Sequence, residues 1–444
     1  MSELSLERHL RAVERARVQR PVGTVTEVVG LVAEVGGVRA AVGDILRLVG
    51  GTTHGAALDL EVIGFRSGRL LATPLGPVAG VRPGARVTRS DRGPKVPVGM
   101  GLLGRIVDAF GGALDGRGAP DAPTTVEVRA APPPAVSRRP IERPFATGVR
   151  ALDAMLTLGC GQRMGIFAGA GVGKSTLLGM ICRSSQADVN VIALVGERGR
   201  EVNDFVRHAL GAEGLERSVV VAATSDQPPL VRARAAETAT AVAEYFRDQG
   251  LSVLLVMDSV TRYAMSLRET ALASGEPPAT KGYPPSVFAA LPRLLERAGT
   301  GSGRGVITAL YTVLVEGDDL SDPIADAVRS ILDGHVVLSR SLAERGHFPA
   351  IDVLQSISRL APMLCAEPQM RSASAVRSLL ASHREALDLI QVGAYAAGSD
   401  PRVDAAVRAL PDIEAFLRQD MNEIAPWPET LGRLAGLGRL GGAP

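Results

Sequence analysis

The spacing of apolar and polar positions changes character near residue 147. Before it, short stretches such as Val25-Thr26-Glu27-Val28 and Val32-Ala33-Glu34-Val35 alternate in the manner of half-buried strands. Turn signals recur between Thr24 and about Val87, at Gly36-Gly37, Gly50-Gly51, Gly68 and Pro83-Gly84. Short strands at that spacing predict a small N-terminal β-barrel. After Thr147, continuous apolar runs at 189–195, 219–223, 253–257, 306–314 and 336–338 alternate with helix-periodic segments at 175–184, 200–210, 231–249 and 285–298. That rhythm predicts an α/β region built on a doubly wound parallel sheet. From about Leu360 the pattern is helical to the C-terminus, which predicts a C-terminal helical domain.

Two further segments frame these regions. Residues 2–20 have the period of a short amphipathic helix, with Leu6, Leu10 and Val13 on one face among Arg8, Arg11, Arg15, Arg17 and Arg20. Such a helix either docks on its own domain or meets a partner or an anionic membrane surface. The run Ala130-Ala131-Pro132-Pro133-Pro134-Ala135, followed by Pro140 and Pro144, predicts a stiff connector and a domain boundary. The expected divisions are 1–20 (amphipathic helix), 21–90 (barrel), 91–146 (hinge and connector), 147–360 (α/β domain) and 361–444 (helical domain).

Composition narrows the classes. With 444 residues, 46% apolar and 22% charged, the chain matches an ordinary globular protein of several domains. A net charge of +2 argues against a chain built to neutralise nucleic acid. The barrel region carries a single aromatic, Phe65, where a single-strand binder needs stacking platforms. No apolar run approaches a membrane span and no signal peptide is evident, so a cytoplasmic location is expected. Cys160, Cys182 and Cys365 lack metal-ligand spacing and fit small buried hydrophobes in a reducing compartment.

The chemistry begins at 165–176. An apolar strand runs into Gly169-Ala170-Gly171-Val172-Gly173-Lys174-Ser175-Thr176, and an apolar helix follows. This is a phosphate-binding loop, its glycines freeing backbone N–H groups to converge on phosphate oxygens. Lys174 is expected to reach the β/γ-phosphates, and the Ser175 hydroxyl to bind Mg²⁺. The first position of the usual pattern is Ala168 instead of glycine. Only three of the 49 basic residues are lysines, and one of them stands at this loop. A compact charge on a flexible stem suits phosphates there.

Three more positions turn a nucleotide site into a hydrolytic one. Leu254-Leu255-Val256-Met257-Asp258 is an apolar strand ending in a carboxylate, which predicts a metal role for Asp258 on a strand beside the phosphate-loop strand. Glu197 follows the run Ala193-Leu194-Val195-Gly196 at the same sheet edge, where a carboxylate can orient and deprotonate the attacking water. Glu201 fits a helix cap. Arg359, after Ser356-Ile357-Ser358, fits either an arginine finger for a γ-phosphate or a surface ion pair.

With these residues in view, the chain resembles the rotary ATPase α/β-subunit superfamily over nearly its whole length. The resemblance is carried by Val98-Gly99, Leu103-Gly104-Arg105-Ile106-Val107-Asp108, Gly196-Glu197-Arg198, Asp258-Ser259-Val260-Thr261-Arg262 and the decapeptide Pro349–Ser358. Within it, Phe167-Ala168-Gly169, the loop Gly275–Tyr283 and Asp333-Gly334-His335-Val336-Val337 resemble the ATPases of type III protein export, the flagellum-specific branch in particular. The resemblance implies a RecA-like central domain and Mg-ATP hydrolysis, with Mg²⁺ held by Ser175 and Asp258. It makes Glu197 the water-activating carboxylate, has Arg198 and Arg262 support the phosphates, and makes Arg359 the finger. It further implies a homohexameric ring in which each copy completes its neighbour's site, because one chain carries every part. The expected partners are stator and central-stalk proteins, chaperone–substrate complexes and the membrane export gate, met from the cytoplasmic face, with no nucleic acid. The loop Gly275–Tyr283 is expected to face the ring's channel, and the base-binding wall to lie near Leu360–Cys365. The alternatives are an injectisome secretion ATPase and a subunit of a rotary proton-pumping ATPase.

Overall fold

The computed structural model describes residues 21–50, 58–90, 94–315 and 321–440. The helix expected at 2–20 lies outside them. The chain divides into two compact units. The smaller contains the chain through Lys95 together with Pro228–Leu230 and Glu269–Pro277; the larger contains the remainder.

The smaller unit is built on a closed barrel of six antiparallel strands: Val22–Val29, Val32–Gly36, Ile45–Leu48, Asp59–Arg66, Arg69–Pro74 and Arg86–Arg89. Alternation turns Val25, Val35, Leu46, Leu60, Val62 and Val87 inward, where they are buried together. The register shifts once between Val25 and Glu27 and once between Val62 and Gly64. Such bulges bend a strand and increase its twist, which helps a small sheet close on itself.

The larger unit holds the α/β region. Its sheet runs in the order Ile357–Ser358, Gly334–Leu338, Arg163–Ala168, Val306–Leu314, Ser252–Asp258, Val189–Val195, Ser218–Ala223 and Arg105–Val107, with Gly299–Thr300 added on Val306–Leu314. From Gly334–Leu338 through to Arg105–Val107 every neighbouring pair is parallel. Ile357–Ser358 runs antiparallel at the edge. The strands are buried along almost their whole length, which explains why they appear in the sequence as unbroken apolar runs. The helix expected at 200–210 is in fact Gly199–Asp204, a π-helical turn Phe205–Leu210 and Gly211–Glu216. In the wider turn the Ala209 carbonyl accepts from the Arg183 guanidinium.

The Pro-rich stretch at 130–144 lies inside the larger unit, and the division falls near Lys95. The reason is local bonding. Arg138 donates to the Ala298 carbonyl at 3.0 Å, and Thr300 Oγ1 donates to the Arg139 carbonyl at 2.7 Å. The C-terminal helices Glu367–Gln391, Pro401–Leu417 and Trp427–Leu440 also join this unit. Their Val376, Ile413, Phe416 and Leu434 share one buried cluster with Ile166 and Leu178 of the phosphate-loop strand and helix. Among the described residues no helix is long and apolar enough to cross a membrane.

The helix after the phosphate loop leaves no room at Gly179, where an added methyl would meet the Ala209 carbonyl. Because the obstacle is backbone, Gly179→Val is expected to destabilise the protein by about 3 kcal/mol, measured as a lowered thermal midpoint.

Candidate active site

The phosphate loop joins the strand Arg163–Ala168 to the helix Lys174–Ser184. Its turn passes through Gly171 and Gly173 at φ 77° and 87°, a region strained for any residue with a side chain. That backbone and the helix's N-terminal dipole together favour an anion. The loop borders a cavity of about 410 Å³ at the carboxyl edge of the parallel sheet. Gly169, Ala170, Gly171, Gly173, Lys174, Ser175 and Thr176 line it, with Glu197, Arg198, Glu201, Asp258 and Arg262 as its other charged groups. Val172 is absent from the wall, being buried in the core beneath.

Lys174 is the electrostatic centre of this cavity. Its Nζ lies 2.5 Å from Asp258 Oδ1 and 3.9 Å from Glu197 Oε1. Asp258 Oδ1 also accepts from Thr312 Oγ1 at 2.7 Å. Asp258 ends the strand Ser252–Asp258, as expected, but that strand is not beside the phosphate-loop strand. Val306–Leu314 lies between them. The intervening strand supplies Thr312, so the extra spacing gives the carboxylate a partner that fixes its rotamer.

Glu197 follows Val189–Val195, which pairs directly with the Asp258 strand. Burial pushes its carboxyl up to about 7, with the Glu201 hydrogen bond and the Asp258 charge adding to the rise and Lys174 opposing it. The hydrogen bond with Glu197 holds Glu201 below the ordinary range. Glu197 Oε1 and Arg262 Nε are both buried without a hydrogen-bond partner. Orphaned polar atoms lining one cavity fit a polar ligand within it. Arg198 borders the same cavity, but its side chain is 83% exposed and lies 3.8 Å from Glu201.

Arg359 is not brought to this cavity. Its backbone N–H donates to the Asp333 carbonyl, and the Asp333 N–H donates to the Arg163 carbonyl. Arg359 is thus level with the first residue of the phosphate-loop strand. Five residues at about 3.3 Å each put it roughly 16 Å below the strand's carboxyl end. Its guanidinium is exposed, 3.5 Å from the Arg329 carbonyl.

Two residues escaped the sequence reading. Thr312 left a faint signal, a hydroxyl inside the apolar run Val306–Leu314. Phe348 is 45% exposed, and its ring lies 3.3 Å from where a Gly173 side chain would begin. An exposed ring in a chain with 3% aromatics was the available signal. The short helix Ala361–Leu364, near the expected base-binding wall, instead approaches Leu158–Gly159 and borders no part of the cavity.

Comparison with known proteins settles the class. The model of the ATP synthase alpha/beta family nucleotide-binding domain matches residues 148–358, and that of the T3SS EscN ATPase C-terminal domain matches 365–436. The flagellum-specific ATP synthase of Pseudomonas aeruginosa is 52% identical over 86% of this chain and 85% of its own. The type 3 secretion system ATPase of Sinorhizobium fredii is 49% identical over 96% and 92%. The chain belongs to the family of flagellum-specific and type III secretion ATPases. The solved structure of the assembled ATPase EscN of enteropathogenic E. coli, in complex with its central stalk EscO, superposes with a TM-score of 0.86 at 43% identity, covering 94% of this chain and all of that one. The chain is therefore an ATPase on the rotary α/β-subunit fold, with ATP as its substrate.

The raised Glu197 carboxyl has a thermodynamic consequence in this ATPase. Its folded value near 7 exceeds the ordinary 4.5, so the folded state is favoured while Glu197 is protonated and loses that advantage as pH rises between the two. Glu197→Gln removes the ionisation. The variant's thermal midpoint is expected to gain on the wild type as pH goes from about 5 to about 8; parallel curves would contradict the assignment.

Proposed function

We propose that the chain hydrolyses Mg-ATP as a homohexameric ring that energises chaperone release, unfolding and export of flagellar proteins. The observation that carries the ring is the separation just described. The carboxylates and Lys174 gather at one edge of the sheet, while Arg359 stands near the other, too far to serve its own chain. A head-to-tail contact between identical subunits brings Arg359 of one copy to the cavity of the next, and closure of that contact makes a ring.

Within the site, the loop N–H groups and Lys174 bind the β- and γ-phosphates. Ser175 and Asp258 form an all-oxygen donor set, suited to Mg²⁺ with waters and phosphate oxygens completing the shell. An ion held by these oxygens would neutralise phosphate charge. Glu197 accepts a proton from the attacking water as its oxygen bonds to the γ-phosphorus, while the bond to the β-bridging oxygen breaks and ADP departs with the electron pair. A base near 7 is well matched to this task at neutral pH. Arg262 and Arg198, which line the same cavity, support the phosphates. The exposed Phe348 ring offers the base an apolar face.

The partners that fit this reading are a central stalk, as in the EscN–EscO structure, stator proteins, chaperone-bound substrates and a membrane export gate. The location is cytoplasmic, at the inner face of the cell membrane. The loop Gly275–Tyr283 faces the ring's channel. A second reading, an injectisome ATPase, draws on the Sinorhizobium relative, which matches 96% of the chain. Neighbouring flagellar or injectisome genes distinguish the two.

Lys174→Ala and Glu197→Gln are expected to abolish steady-state ATP hydrolysis. Arg359→Ala is expected to lower kcat by about 10³-fold or more while nucleotide binding persists. Specific activity is expected to rise with protein concentration as rings assemble; a flat dilution series would oppose a finger acting between subunits.

A further inference from the structure

We propose that Gln162 is a positioning residue for Arg359, linking the phosphate-loop strand of one subunit to the arginine it offers the next; this rests on Arg359 acting on a neighbour's site. The strand that leads into the arginine, Ile357–Ser358, is two residues long and pairs through Gly334–Ser358 and His335–Ile357. So short an edge strand does little by itself to hold a side chain in place.

What fixes it lies underneath. Gln162 is fully buried, immediately before the phosphate-loop strand. Its Nε2 donates to Ser358 Oγ at 3.1 Å and to the Asp333 carbonyl at 3.2 Å. That carbonyl also accepts the Arg359 N–H at 3.0 Å. Gln162 Oε1 accepts from the Gly159 N–H at 2.8 Å. Ser358 Oγ–H donates to the Thr157 carbonyl at 2.8 Å, and Thr157 Oγ1 accepts from Gln369 Nε2 at 2.9 Å. Gln369 is in the first turn of the helix Glu367–Gln391.

A buried amide is costly unless its bonds are made, and an apolar side chain of equal size fills the same space at less cost. Here the amide's donors converge on the residue before Arg359 and on the carbonyl that holds Arg359's backbone. A satisfied buried network of this kind specifies one geometry. Strain in the phosphate-loop strand, or a shift of the helix bearing Gln369, is thereby transmitted to the arginine serving the next site.

The test uses rings mixed from two variants. Gln162→Met keeps the volume and removes the donors; Ser358→Ala removes only the hydroxyl and guards against a fold defect in the first. Each alone is expected to lose about 10- to 100-fold in kcat, with KM and nucleotide affinity within about twofold. Mixed with Glu197→Gln protein, which has a dead site but an intact arginine, each is expected to regain activity above the sum of the separate proteins. Arg359→Ala mixed with Glu197→Gln is the control. Should that control fail to recover, the trans-acting arginine is wrong and the proposal falls with it. Recovery of the control without recovery of Gln162→Met and Ser358→Ala, or full activity in both variants alone, overturns the proposal by itself.

Discussion

Parallel pairing of the central strands is the constraint on which the rest of this ATPase depends. Strands that all run one way present all their carboxyl ends at one edge, where the phosphate loop, Glu197 and Asp258 come together although they are scattered over nearly a hundred positions. The same constraint excludes Arg359. Its strand runs the opposite way at the sheet edge, so the arginine emerges near the amino ends. One geometric rule both gathers the cavity's residues and sets Arg359 apart from them.

The chemistry at that edge is a matter of crowded charge. Three carboxylates, Glu197, Glu201 and Asp258, share a cavity with Lys174 and Arg262. Lys174 cannot neutralise them all, and the least solvated of the unpaired oxygens, on Glu197, keeps its proton to a pH where ordinary glutamates have lost it. Asp258 instead accepts hydrogen bonds from Lys174 and the Thr312 hydroxyl. Two carboxylates in one cavity thus stand in different surroundings, one bonded to Lys174 and Thr312 and one with an unpartnered oxygen.

The larger unit has no internal seam between nucleotide chemistry and the C-terminal helices. Phe416 and Leu434 pack in the same core as Leu178 of the phosphate-loop helix, and Gln369 bonds within the buried network that reaches Ser358. Force applied to those helices therefore reaches both the loop and the arginine through close-packed, weakly compressible material.

Much of this was legible in the chain itself. Unbroken apolar runs identify buried parallel strands because both faces are covered, and the glycine-rich turn ahead of Lys174 identifies the phosphate loop because only a particular backbone binds phosphate there. The barrel, the order of elements and the chemical character of Lys174, Ser175, Glu197 and Asp258 follow from such local rules. Strand order does not. That Val306–Leu314 comes between the loop and the Asp258 strand, so that Thr312 holds Asp258, depends on which strands pair across long separations. Phe348 standing over Gly173, Glu201 raising the Glu197 carboxyl and the Pro-rich stretch joining the larger unit likewise arise from contacts between distant segments. Sequence fixes what each residue can do, since that is covalent chemistry and local backbone preference; only the tertiary structure decides which of them meet, since that depends on the packing of the whole chain.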